Sequence, residues 1–139
     1  MKKIVLIILL GIFGLTGSLA IFSCQPVKTE RALLQGAVTI GPLTPVQKVG
    51  EYPTAAPGVF AARKIMVYDK SGKNLVQEVA ITQIDSSANG YYTVLLAPGA
   101  YTVDINQGGI DRAANLPQKI TLVANQTITI NVDIDTGIR

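Results

Sequence analysis

Near the end of the 139-residue chain, Asp135-Thr136-Gly137 spells the tripeptide around which aspartic proteases build a catalytic carboxylate. Such a centre needs two carboxylates about 3 Å apart, sharing one proton in a site sheltered from bulk water. This chain holds one such tripeptide, and two residues follow it. In "TITINVDID", Ile128, Ile130, Val132 and Ile134 alternate with Thr127, Thr129, Asn131, Asp133 and Asp135. That period of two puts the isoleucines and the valine inward and Asp135 on the solvated side of a last strand. The expectation is a strand end, not a protease.

Other chemistry is thinly supplied. The chain has no histidine, which removes triads with a histidine base and most zinc and iron constellations. Asp69, Asp133 and Asp135 offer oxygen atoms for calcium, but no dense Asp/Asn loop spaces them as a site requires. A self-made Lys–Asn crosslink would need a lysine in the first strand, and "LLQGAVTI" has none. No residue is set up as a general base poised near neutral pH. The expectation is therefore no catalytic residue, no metal, no cofactor and no enzyme activity. Tyr91 and Tyr92, with Tyr101, form either a stacking platform for sugar or half-buried core with their hydroxyls at the rim.

The N-terminal segment says where the protein goes. Lys2 and Lys3 precede an uncharged run over residues 4–22, close to the roughly 18 residues that span a bilayer. Ile21-Phe22-Ser23-Cys24 resembles a bacterial lipobox, with an aliphatic residue at −3 and a small one at −1. The resemblance implies a signal at 1–23, removed, and a lipid on the Cys24 thiol. Retention as an uncleaved anchor and simple secretion are the alternatives. The two lysines hold the N-terminal side in the cytoplasm, so the remainder lies outside it. Gln25 stands where an aspartate would, by resemblance, retain a lipoprotein in the inner membrane, so an outer-membrane destination is permitted.

Residues 24–32 read as a short polar tether and 33–139 as one domain, long enough for a real core. Twelve Lys and Arg become ten without Lys2 and Lys3, against nine Asp and Glu. A near-neutral exported part has no electrostatic footprint for nucleic acid. With Cys24 lipidated, no thiol remains for a disulfide.

Behind the tether the hydropathy has period two throughout. "LLQGAVTI" aligns Leu34, Val38 and Ile40. "RKIMVYDK" sets Ile65 and Val67 against Lys64, Met66 and Tyr68, and "LVQEVAIT" aligns Leu75, Val79 and Ile81. "YYTVLLA", "AYTVDIN", "KITLVA" and "TITINVDID" complete seven short segments. Asn89-Gly90 is expected to turn through positive φ, Pro98-Gly99 to turn again, and Asn125-Gln126 to turn last. Seven such segments predict an all-β, seven-stranded antiparallel sandwich with Greek-key connections. One stretch breaks the rhythm: residues 41–61 hold four prolines and three glycines, which reads as a long loop. Its Tyr52 and Phe60 either contact a partner or fold back as a lid over the sandwich end.

Asp69-x-x-Gly72, Asn89-Gly90-Tyr91-Tyr92 and Leu96-Ala97-Pro98-Gly99-Ala100-Tyr101-Thr102-Val103 resemble carboxypeptidase regulatory-like domains, which share the transthyretin-like (prealbumin-like) sandwich. The likeness covers residues 34–134. It implies a tight turn at Pro98-Gly99, Tyr101 beginning the next strand, and no catalytic residue to carry over. Enzymes on that fold, a hydrolase of 5-hydroxyisourate and non-haem iron dioxygenases, rely on histidines that are missing here. "GPLTPV" looks like the loop of small exported bacterial relatives that read Gly-Pro-x-Cys-Pro-Val. Thr44 replaces that cysteine, so the disulfide of such relatives is absent.

Together these readings predict an exported, membrane-tethered lipoprotein serving as a non-enzymatic interaction or structural module. One alternative is a module for carbohydrate or cell-wall polymer using the 41–61 loop. Another is a surface protein that self-assembles through its strand edges. The expected partners are the membrane, through the Cys24 lipid, and a protein or a second copy, with polysaccharide as the alternative.

Overall fold

A computed structural model of the chain describes residues 29–46, 50, 54–106 and 108–139. The signal at 1–23, Cys24, most of the tether and Tyr52 lie outside the described residues. Among the described residues ten strands form two sheets, accompanied by one short helix, so this part of the chain is all-β.

The central strand of the first sheet is β1 (Ala32–Gly41), with Leu34, Val38 and Ile40 essentially without exposure. The chain leaves it into α1 (Pro57–Ala61), then β2 (Lys64–Asp69), β3 (Leu75–Ala80), β4 (Thr82–Gln83) and β5 (Asn89–Leu96). It continues through β6 (Gly99–Ile105), β7 (Arg112–Ala113), β8 (Gln118–Leu122), β9 (Thr127–Thr129) and β10 (Val132–Asp135). In the first sheet β1 pairs antiparallel with β5, and β4 and β7 lie at the two edges. The second sheet runs β3-β2-β6-β8, antiparallel throughout. Between the sheets, Leu34, Ile40 and Ile134 share one core with Ile65, Val67 and Val103. Each such side chain contributes on the order of 2 kcal/mol by leaving water.

The first sheet is mixed, which corrects the all-antiparallel expectation. On its second flank β1 pairs parallel with β9, over Leu33 to Gln35, and with β10, over Val38 to Gly41. A parallel pair needs a long crossover, here nearly the whole domain, and period-two hydropathy carries no sign of strand direction. The count also differs. Strands of two residues such as β4 and β7 are too short to alternate visibly, and the last segment is split into β9 and β10 at Ile130 and Asn131.

Two further expectations shift. Leu75 is 47% exposed, because the pairing of β2 with β3 slips between Val67 and Tyr68. The slip sets Leu75 opposite Tyr68 instead of in the core row of Val67. Asn89 and Gly90 lie inside β5, and the turn precedes them at Asp85, with φ 53°. Gly90 is needed for close approach instead: a Cβ there would sit 2.6 Å from the Phe60 ring and 2.8 Å from the Thr82 carbonyl oxygen.

Within the 41–61 segment, Pro57 opens α1 at a position where its fixed φ suits a first turn. Phe60 is 3% exposed and packs into the core. It is a plug at the sandwich end, so its expected role as a partner contact is corrected in favour of the lid.

Candidate functional site

The tripeptide Asp135-Thr136-Gly137 is a clasp. The Thr136 N–H donates to the Gly41 carbonyl at 3.1 Å, and its hydroxyl donates to the Pro42 carbonyl. The exposed Asp135 accepts the Gly137 N–H at 2.8 Å and two contacts from the Arg139 guanidinium, at 2.8 and 3.2 Å. Chiefly through Arg139, the Asp135 carboxyl is lowered to about 2. Asp69 lies in the second sheet, away from Asp133 and Asp135. It accepts from the Ser71 hydroxyl and the Asn74 amide, which hold its carboxyl well below the usual range and tie the turn after β2. Among the described residues no group of three or more metal-ligating side chains comes together.

Of the turn residues, Pro98 precedes β6 and Gly99 begins it, without positive φ at either. The Tyr101 hydroxyl reaches back to the Ala97 carbonyl at 2.8 Å and braces that turn from within β6.

Tyr91 and Tyr92 separate by strand alternation. Tyr92 is 1% exposed, which corrects its expected role as a contact. Burial pushes its phenol up to about 12, and its hydroxyl donates to the Ile130 carbonyl at 2.8 Å. This bond belongs to the break between β9 and β10. In a regular parallel ladder the Ala37 N–H would meet the Ile130 carbonyl; it donates instead to Asn131 Oδ1 at 3.0 Å. The Ile130 carbonyl is turned inward over Gly36, and the Asn131 carbonyl accepts from Asn115 Nδ2 at 2.7 Å.

On the outer face beside this break lies a recess of about 360 Å³, lined by Gln35, Gly36, Ala37, Tyr91, Thr93 and Thr129 among others. Tyr91 is 46% exposed, opposite Ala37 on β1 and Thr82 on β4. Gln35 stands between Thr93 and Thr129 in register. An aromatic wall, a small-residue floor and a rim of one amide and two hydroxyls face solvent there. Sequence reasoning named Tyr91 and missed Gln35, Thr93 and Thr129. Alternation marks each as outward, but only strand pairing makes them neighbours. A second recess, about 430 Å³, lies by Asp104, Asp111 and Arg112. There Asp111 is engaged by Arg63, with Nε 2.7 Å from Oδ2 and Nη2 3.0 Å from Oδ1.

No family model and no curated protein matches the chain. Several solved structures are similar, three of them as follows, all at low identity. The minor pilin GBS52 of Streptococcus agalactiae aligns at TM-score 0.43 and 12% identity, over 76% of this chain and 44% of that one. A DUF3823 family protein from Parabacteroides merdae aligns at 0.41 and 16%, over 76% and 46%. A leucine-rich repeat protein from Bacteroides thetaiotaomicron aligns at 0.39 and 13%, over 80% and 14%. The chain thus spans less than half the length of each. Among the described residues no helix is long and apolar enough to cross a membrane.

Proposed function

We propose that the chain is an exported lipoprotein, tethered through Cys24, whose two-sheet domain is a non-enzymatic interaction module outside the cytoplasm. The observation that carries this reading is the outer face of the first sheet. Tyr91 stands exposed there above a preformed recess and is itself paired on both sides, to Ala37 and to Thr82. Three of the carboxylates are committed elsewhere: Asp135 to Arg139, Asp111 to Arg63 and Asp69 to its turn. The likeness to carboxypeptidase regulatory-like domains, with Greek-key connections, supports the same reading, since it implies an accessory domain.

The test has two parts. Labelled palmitate fed to cells should be incorporated into the wild type and not into Cys24→Ala, and an unlabelled wild type would overturn the lipid tether. A photocrosslinker at Leu95, exposed on the same face, should capture a discrete envelope component in wild-type cells. Absence of any adduct would overturn the module.

A second reading, self-assembly through strand edges, is favoured by β5. Its residues beyond Tyr91 have no partner on the flank away from β1, among the described residues. The neighbouring edge strand β3 exposes Leu75 and Val76. Size-exclusion chromatography over a concentration series checks it; a single monomer peak throughout would count against it.

A further inference from the structure

We propose that the recess beside Tyr91 binds a neutral saccharide, stacked on the Tyr91 ring and hydrogen-bonded by Gln35, Thr93 and Thr129. The inference rests on the non-enzymatic module reading and moves the carbohydrate site away from the 41–61 segment, whose Phe60 is buried.

Four observations lead there. Tyr91 is fixed by pairing to both β1 and β4, so little backbone freedom is lost when a ligand stacks on it. A tyrosine presents an apolar ring with a polar tip, which suits a ligand with an aliphatic face and hydroxyl edges. The amide of Gln35 and the hydroxyls of Thr93 and Thr129 supply both donors and acceptors, as a polyol requires. Among the described residues no carboxylate, lysine or arginine lines the recess, so a charged ligand would find no countercharge from them.

The shape is also built in. The recess lies against the break between β9 and β10, where Gly36, the Tyr92 hydroxyl and the Asn131 side chain replace regular ladder bonds. A volume of about 360 Å³ sits at the lower end of small-molecule sites, roughly 300–1,000 Å³. That suits a ligand bound along a polymer at one or two sugar rings.

The experiment is affinity electrophoresis of the full chain, extracted in a detergent without a sugar headgroup, through gels holding neutral or anionic polysaccharides. At least one neutral polymer should retard the wild type. Tyr91→Ala should weaken that binding by about tenfold or more, and Tyr91→Phe, which keeps the ring, should stay within about threefold. Leu95→Ala, on the same face outside the recess, should bind as wild type. No retardation by any neutral polymer, or equal retardation of Tyr91→Ala, would overturn the inference. Such a failure, with a protein captured by crosslinking at Leu95, would leave the module reading standing. Shortening of the bound polymer during incubation would overturn the non-enzymatic reading instead, and loss of that shortening in Tyr91→Ala would keep the saccharide site.

Discussion

The Ile130 carbonyl oxygen lies 1.8 Å from where a Cβ on Gly36 would be, so β1 and the interrupted last strand meet only because residue 36 has no side chain. The neighbour in conflict is backbone, which has no rotamer by which to yield. Gly36→Ala should destabilise the domain by about 3 kcal/mol, as overpacked sites do. Urea unfolding measures it, and a change under 1 kcal/mol (about a fivefold shift in the folding equilibrium) would refute the close approach.

Tyr92 closes the same junction from the other side. Tyr92→Phe keeps the ring in the core but leaves the Ile130 carbonyl without its donor. The expected loss is about 1–3 kcal/mol, the penalty for a buried acceptor left unpaired. A neutral result would mean that water or another donor reaches that carbonyl.

Phe60 anchors α1, so Phe60→Ala should cost about 3–5 kcal/mol. Amide exchange should quicken first across α1 and at Gly90, whose Cβ position touches the Phe60 ring. A residue serving only as a partner contact would leave stability and exchange unchanged.

Two groups make the stability of the domain depend on pH, one on each side of neutrality. Asp135 is lowered to about 2, so its pairing with Arg139 stabilises the fold fully above the unfolded aspartate value near 4 and is lost as pH falls toward 2. Tyr92 is raised to about 12, so its contribution is complete below about pH 10 and is lost as pH rises toward 12. Carbon-detected titration of the Asp135 carboxyl and ultraviolet titration of Tyr92 read each directly. Asp135→Asn should flatten the acid limb of the stability profile, and Tyr92→Phe the alkaline limb.

Alternating hydropathy was enough to place Leu34, Val38 and Ile40 in the core and Asp135 outside it, because side-chain direction in a strand is a local property with period two. For the same reason the absence of histidine and the scattered charge already bounded the chemistry. Tertiary structure alone decided that β1 runs parallel to β9 and β10, that Leu75 slips out of the core row, and that Gly90 serves Phe60 and not a turn. It also decided that Tyr92 is buried while Tyr91 joins Gln35, Thr93 and Thr129. Those facts depend on which strands lie side by side and in what register. Both are set by contacts between residues up to about a hundred positions apart, which no local pattern encodes.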